Sequence, residues 1–176
     1  LWERPLVDSL DAALSAVEAD APRAVLIRAE GKVVSGGVNV EEFAAAGDPA
    51  GARVLFDELI RYTHRLEDLP CPVVWASHAL TLTWAMELAL ACDYIVAADD
   101  CYWGLVEARI GLTPTMGGSQ RLAARAGDAR AREFVMFGEP VPAGTLHQWG
   151  VINRIAPKDD VDSIARETAA KLAAGP

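Results

Sequence analysis

The stretch TWAMELALACDYIVAA, residues 83–98, carries the pattern that decides the fold. From Trp84 to Ala91 it predicts a helix that is apolar on every side except at Glu87. A helix that is apolar all round is buried, so we expect this one to lie inside the molecule. Residues 94–98 are a short apolar run, which predicts a buried strand directly after the helix.

The rest of the chain alternates between helices and strands in the same way. Helical spacing of apolar residues predicts helices that start at Pro5, cover 54–66, end near Gly127, run from an N-cap at Asp128 to Gly138, and cover 159–172. Apolar runs predict strands at 24–27, 73–76 and 151–155, with glycine-containing loops at 32–40 and 111–118. Strands that are separated by helices pair in parallel, so the sequence predicts an α/β fold.

The composition restricts the classes of partner. A chain of 176 residues with 52% hydrophobic and 23% charged residues fits a single globular domain. The formal net charge of −9 argues against binding to nucleic acid or an anionic membrane, because a phosphate backbone attracts clustered cations. No apolar run is long enough for a membrane span. His64 and His147 have no metal-ligand partner at helical spacing, so we expect no metal.

The ends of the chain and its cysteines give expectations about cellular location and about the length of the whole protein. The first five residues lack the basic and apolar segments of a signal peptide, so none is expected. Three cysteines, an odd number without a CxxC motif, favour a reducing, cytoplasmic setting. The chain starts directly on a predicted helix and ends on Gly175-Pro176, as a piece of a longer protein would.

Two glutamates, Glu87 and Glu107, stand among apolar neighbours. Burial raises the pKa of a carboxyl group, and a second carboxylate nearby raises it further. Two such groups facing one substrate can divide acid and base roles near neutral pH. The structural alternative is that each glutamate forms a salt bridge, with Arg109 or Arg121 as candidate partners.

Several motifs together resemble the enoyl-CoA hydratase/isomerase (crotonase) superfamily. They cover about residues 6–156 in the family's order: VSGGVNV (34–40), PCPVVWA (70–76), ELALACD (87–93), WGLVE (103–107), GLTP (111–114), GGSQRL (117–122) and GVINRI (150–155). Each motif is weak alone, but their common register is specific. The resemblance implies a spiral core of β-β-α units, here one domain over 1–176 without the family's usual first strand pair and C-terminal helices.

The resemblance also implies an activity: addition of water across the 2,3 double bond of a 2-enoyl-CoA. Glu87 and Glu107 would be the acid/base pair, and the backbone N–H groups of Val38 and Trp84 would form the oxyanion hole. Coenzyme A would enter as part of the substrate, with no separate cofactor. The family forms homotrimers, often paired into hexamers. The remaining substrate-binding residues would be Ser35, Gly36, Gly37, Thr83 and Thr115.

Departures from the family pattern keep other functions open. Thr83-Trp84-Ala85 replaces a triple glycine, and Val106 and Thr115 replace a proline and a glycine. We expect the Trp84 side chain to narrow or reshape the acyl pocket. The alternatives are an enoyl-CoA isomerase, another crotonase-type reaction on an acyl-CoA, or a non-catalytic acyl-CoA-binding or scaffold subunit.

Overall fold

Helices alternate with strands along the chain in the computed structural model, which describes residues 2–45 and 48–175. The helices are α1 (Arg4–Asp20), α2 (Val40–Ala45), α3 (Pro49–Glu67), α4 (Trp84–Ala91), α5 (Gly118–Ala126), α6 (Asp128–Phe137), α7 (Ala143–Gln148) and α8 (Val161–Ala173). The strands are β1 (Val25–Arg28), β2 (Val73–Ser77), β3 (Thr81–Leu82), β4 (Tyr94–Ala98), β5 (Tyr102–Gly104), β6 (Val141–Pro142) and β7 (Arg154–Ala156). Short 3₁₀ turns cover Glu107–Ile110 and Lys158–Asp160.

The larger sheet is parallel throughout, in the order β1-β2-β4-β7. Trp75 of β2 lies opposite Ile27 of β1 on one side and Ile95 of β4 on the other. All residues of β2 are buried, as expected for a parallel strand that is covered on both faces. The predicted α/β class with parallel pairing is therefore confirmed.

A smaller sheet, in the order β3-β5-β6, contains strands that the sequence pattern does not predict. β3 runs parallel to β5, with Thr81 opposite Trp103 and Leu82 opposite Gly104. Parallel strands end at the same edge of a sheet, so the segments that follow β3 and β5 lie near each other. These segments are α4 and the 3₁₀ turn that begins at Glu107.

The helix α4 lies in the core, and each of its residues is buried, as predicted. Helices α3 and α5 pack against it. Arg125 of α5 binds the C-terminal end of α4. Its guanidinium donates hydrogen bonds to the carbonyl oxygens of Leu90, at 3.2 Å, and Cys92. A third bond from Arg125 reaches the carbonyl oxygen of Val151 at 3.2 Å. The helix that carries Glu87 is thus held from several sides.

Several predicted helix boundaries differ from the structure, and the closing helix, for example, covers Val161–Ala173 rather than 159–172. Helix α3 begins at Pro49 rather than at residue 54, because the side chain of Asp48 caps it by accepting a hydrogen bond from the N–H of Gly51 at 2.8 Å. Asp128 is the first helical residue of α6 and not its N-cap, a position that Gly127 holds. None of the helices in the described ranges is both long and apolar enough to cross a bilayer.

The last strand is shorter than predicted, since β7 covers Arg154–Ala156 and not 151–155. The reason lies in Asn153. Its N–H donates to the carbonyl oxygen of Ile95 at 3.1 Å, and its side-chain Oδ1 accepts from the N–H of Ile95 at 2.8 Å. A side chain thus takes over one of the bonds that strand pairing would make, and the buried residues Val151 and Ile152 before it form a bend.

Candidate active site

Glu87 lies in the first turn of α4 and is completely buried. Its Oε1 accepts hydrogen bonds from the N–H groups of Met116 and Gly118, both at 2.9 Å. Its Oε2 is buried and has no hydrogen-bond partner among the described residues. Two backbone donors thus fix the carboxyl group, while one oxygen is left for a group that the protein itself does not supply.

Glu107 lies shortly after the end of β5 at Gly104 and opens a 3₁₀ turn, with 7% of its surface exposed. Its Oε2 is also buried without a hydrogen-bond partner in the described part of the chain. The salt-bridge alternative is wrong for both glutamates within these residues. Arg121 pairs instead with Glu67, at 2.6 Å, and Arg109 is exposed without a recorded ion pair to either glutamate.

Both carboxyl groups have a pKa above the ordinary value of a glutamate. Burial raises the pKa of Glu87 to about 7, the Met116 and Gly118 N–H groups oppose that rise, and the charge of Glu107 adds to it. Burial likewise raises the pKa of Glu107 to about 7. The parallel pairing of β3 with β5 places the segments that carry Glu87 and Glu107 beside each other. Near neutral pH, one member can be protonated while the other is ionised.

Thr83 connects the two glutamate segments and has an unusual backbone. Its N–H donates to the carbonyl oxygen of Gly104 at 2.7 Å, and its carbonyl oxygen accepts from the N–H of Glu87 at 3.0 Å. Its φ of 52° with ψ of −124° is rare for a β-branched residue, since such backbone favours glycine. Strain of this kind costs about 1–3 kcal/mol and is concentrated at functional sites.

The glycine loop meets the start of α4, as the resemblance implies. A Cβ built on Gly37 would lie 3.3 Å from Thr83 Oγ1, so the loop and Thr83 are in contact. Ser35 shapes the loop, because its Oγ accepts a hydrogen bond from the N–H of Gly37 at 3.1 Å. Gly36 is exposed, and Val38 is bridged to Trp2, whose N–H donates to the carbonyl oxygen of Gly37 at 2.9 Å.

Trp84 is the first residue of α4, so its N–H has no acceptor within the helix. Its side chain is buried and makes edge-to-face contacts with Trp2 and Tyr62, at centroid distances of 6.3 and 6.1 Å. Thr115 is half-buried and reaches the site through its neighbour, since its Oγ1 donates to Met116 Sδ at 3.2 Å. The structure thus brings both the predicted glycine loop and the start of α4 into one region.

An apolar cavity of about 300 Å³ adjoins the start of α4. Residues that contribute to its wall include Trp2, Leu10, Ser35, Gly37, Trp75 and Trp84. The expected narrowing role of the Trp84 side chain agrees with this position in the wall. The sequence offers no signal that Trp2 and Trp75 face a common cavity.

A second groove, of about 260 Å³, shares Arg28 and Ala29 with the apolar cavity. His78 and Lys158 also line it. His78 is tied to the loop before it, because its Nε2 lies 2.9 Å from the carbonyl oxygen of Gly31. An apolar space thus continues into a groove whose lining includes the cations Arg28 and Lys158 and the carboxylates Glu30 and Asp162.

Comparison with known proteins identifies the relatives of this chain. The family model described as enoyl-CoA hydratase/isomerase matches residues 3–176. A Bacillus subtilis protein named "Probable enoyl-CoA hydratase" is 32% identical over 171 residues, which is 96% of this chain and 66% of the relative. A Salmonella paratyphi B carnitinyl-CoA dehydratase is 37% identical over 105 residues, covering 60% of this chain and 40% of the relative.

Solved structures give the same result for the fold. The crystal structure of an enoyl-CoA hydratase from Bacillus anthracis superposes with a TM-score of 0.92 at 28% identity, covering 99% of this chain and 68% of that one. An enoyl-CoA hydratase from Polaromonas sp. JS666 superposes with a TM-score of 0.88 at 31% identity, covering 95% and 66% of the respective chains. The chain spans 57–66% of the length of the first curated relatives it matches.

Proposed function

Because the chain belongs to the enoyl-CoA hydratase/isomerase family and has its crotonase-type α/β fold, we propose that it hydrates the 2,3 double bond of a 2-enoyl-CoA. One observation carries the proposal above all others. Glu87 and Glu107 are both buried, each has one carboxyl oxygen without a hydrogen-bond partner in the described chain, and each has its pKa raised to about 7. Such a pair suits the holding and activation of one water molecule.

The proposed reaction needs one ionised and one protonated carboxyl group. The ionised group takes a proton from water while the water oxygen bonds to the β-carbon. The electron pair of the double bond moves onto the thioester oxygen as an enolate, and the protonated group then delivers its proton to the α-carbon. In total, one water molecule is added to the substrate. Of Glu87 and Glu107, the one that began ionised ends protonated, and the other ends ionised. Their similar pKa values leave open which of them acts first as the base.

Stabilisation of the enolate is assigned to main-chain donors. The N–H of Trp84 opens a buried helix, whose N-terminal dipole favours negative charge. The N–H of Val38 lies in the loop that touches Thr83 through Gly37. In acyl-transfer enzymes, loss of one such donor lowers kcat by about 10²–10³-fold. We propose the same role for these two groups, with Ser35, Gly36 and Thr115 shaping the substrate site around them.

The two adjoining cavities support an acyl-CoA as the ligand. The apolar cavity suits the aliphatic parts of such a molecule. The adjoining groove contains Arg28 and Lys158, whose charges suit phosphate groups, and Arg28 also pairs there with Glu30 and Asp162. The net charge of −9 does not oppose this, because a small anion needs only local cations. We further propose that the protein assembles as a homotrimer or hexamer, which light scattering after size-exclusion chromatography would test.

Two rivals remain within the proposal. Retention of both glutamates favours hydration over isomerisation, and a relative named as a dehydratase favours a hydro-lyase. The second candidate is a non-catalytic acyl-CoA-binding subunit. The observation in its favour is the Trp84 side chain, which occupies space beside the start of α4 where the family pattern has only glycine.

Turnover assays with the full chain test these functions. Incubation with a 2-enoyl-CoA should give a product heavier by one water, whereas a 3-enoyl-CoA would be converted only by an isomerase. We expect Glu87→Gln and Glu107→Gln each to lower kcat by about 10²–10⁴-fold. The exposed Glu133→Gln on α6 is the matched control. If the wild type turns over neither thioester but binds acyl-CoA in calorimetry, the subunit hypothesis replaces the enzyme.

A further inference from the structure

The hydroxyl group of Thr83 is buried and makes no hydrogen bond within the described part of the protein. The residue is 5% exposed, and Oγ1 has no hydrogen-bond partner among the described residues. Buried polar groups in native proteins are nearly always paired, so an unpaired one needs an explanation. Among the described residues, three other side-chain oxygens are buried without a hydrogen bond: Oε2 of Glu87, Oε2 of Glu107, and Oδ1 of Asp162, which instead lies 3.6 Å from the guanidinium of Arg28.

The contacts of Thr83 place its hydroxyl between two elements of the proposed site. The residue immediately precedes Trp84, whose N–H opens α4. On the other side, a Cβ on Gly37 would lie 3.3 Å from Thr83 Oγ1, 3.4 Å from Cγ2 and 4.0 Å from Cβ. Both Oγ1 and Cγ2 of Thr83 therefore lie against the loop, where the next residue along the chain is Val38.

The backbone of Thr83 keeps the side chain in this position, although threonine disfavours the backbone conformation that this requires. A φ of 52° is unfavourable for threonine, and glycine would adopt it freely. The hydrogen bonds to Gly104 and from Glu87 hold the residue on both sides. If Thr83 only filled space, glycine at this position would relieve the backbone strain. A role for its hydroxyl group in binding a ligand explains why a strained threonine is present.

We propose that Thr83 Oγ1 donates a third hydrogen bond to the thioester carbonyl oxygen, beside the N–H groups of Val38 and Trp84. This inference rests on the proposed function, because it takes the thioester to be the ligand. No bond is made or broken at Thr83. Its hydroxyl hydrogen turns towards the oxygen, and the bond strengthens as enolate charge develops there. The chain thus replaces a flexible glycine position by a residue that adds a side-chain donor.

The test compares Thr83→Val, which keeps the branched shape but lacks the hydroxyl, with Thr83→Ser, which keeps the hydroxyl. We expect Thr83→Val to lower kcat by about 10- to 100-fold with little change in KM, since the bond matters most in the transition state. Thr83→Ser should keep most of the wild-type kcat. Thr168→Val, on α8 and away from the site, is the matched control for loss of a threonine hydroxyl.

Infrared spectroscopy of a bound 2-enoyl-CoA with an isotopically labelled carbonyl gives a readout that a purely structural role would not move. A hydrogen-bonded thioester carbonyl vibrates at lower frequency, so the band should move back towards that of free thioester in Thr83→Val and stay near the wild-type position in Thr83→Ser. If Thr83→Val does not fold, the comparison of Thr83→Ser with Thr83→Ala carries the same test.

Each outcome has a distinct meaning. Equal band positions and equal kcat in the wild type and Thr83→Val overturn the hydroxyl donor and leave the hydratase intact. Equal impairment of Thr83→Ser and Thr83→Val also overturns it, because the effect would then follow shape alone. A wild type that neither polarises nor converts the thioester overturns the proposed function, and the Thr83 inference with it.

Discussion

Gly118 fits against the carboxyl group of Glu87 with no room for a side chain. Its N–H donates to Glu87 Oε1 at 2.9 Å, and a Cβ added to Gly118 would lie 2.8 Å from that same oxygen and 2.7 Å from Glu87 Cγ. The φ of Gly118 is not positive, so the glycine is required for space and not for backbone conformation. The start of α5 therefore determines where the proposed catalytic carboxyl group lies.

Gly118→Ala should impair the reaction by displacing Glu87. Alanine favours a helix by about 1 kcal/mol over glycine, but here its methyl group would collide with the carboxyl group. A displacement of roughly 1 Å costs about 10²-fold in rate, and we expect a fall of this size in kcat/KM. Gly144→Ala in α7 is the control, because a Cβ there meets nothing within 4 Å. Equal activity of both variants would contradict the steric argument.

Stability should fall as the pH rises through neutrality. The pKa of Glu87 is about 7 in the folded protein, above its ordinary value of 4.5, so the folded state holds its proton more tightly than the unfolded chain does. This contribution is complete below about pH 4.5 and is lost as the pH passes about 7. It amounts to about 3 kcal/mol.

Urea unfolding of the wild type and Glu87→Gln across this pH window measures the effect. The variant stays uncharged, and its side-chain oxygen can still accept from Met116 and Gly118. We expect the free energy of unfolding to depend less on pH in Glu87→Gln than in the wild type. Parallel curves for the two proteins would show that Glu87 does not titrate in this range.

Arg125→Ala should destabilise the protein more than removal of an exposed arginine. Arg125 donates to carbonyl oxygens of Leu90, Cys92 and Val151, and burial lowers the pKa of its guanidinium. Its loss leaves carbonyls at the end of α4 unpaired, which costs about 1–3 kcal/mol for a buried group. Thermal unfolding beside the exposed Arg132→Ala checks this. Equal midpoints would mean that water replaces the guanidinium without loss.

Trp84→Ala should widen the range of acyl groups that bind. The indole forms part of the cavity wall and contacts Trp2 and Tyr62, so truncation enlarges the cavity. We expect destabilisation of about 3–5 kcal/mol and a shift of kcat/KM towards longer acyl chains. Trp149→Ala, whose ring contacts Phe134 elsewhere, should destabilise without that shift. An unchanged chain-length preference in Trp84→Ala would show that the acyl group lies elsewhere.

The sequence predicts those parts of the site that lie within one strongly patterned element. The burial of Glu87 follows from the apolar helix around it, and the structure confirms this. The pairing with Glu107 stays a prediction, and the approach of the two segments that carry these glutamates is not visible in the sequence. It depends on β3 and β5, which are two and three residues long and too short to leave a periodic pattern.

Other features depend on contacts between distant segments. Ser77 looks like a polar break after a strand, but it is completely buried and its Oγ pairs with Thr81 Oγ1 at 2.6 Å. Asn153 lies in a predicted strand and instead binds Ile95 with its side chain. The cavity wall joins Trp2, Trp75 and Trp84 from three separate elements. Local sequence patterns carry no information about such contacts between distant segments.

The complete burial of α4 has a consequence for how the protein responds to heat. Backbone amides in a segment with no solvent-facing side exchange their hydrogens mainly when the whole domain opens. We expect the loop with the exposed Gly36 to open more readily than this helix. Glu87 therefore keeps its place until the cooperative transition, whereas the opposite wall of the site loosens earlier. Warming should abolish the alignment of the thioester before it abolishes the carboxyl pair.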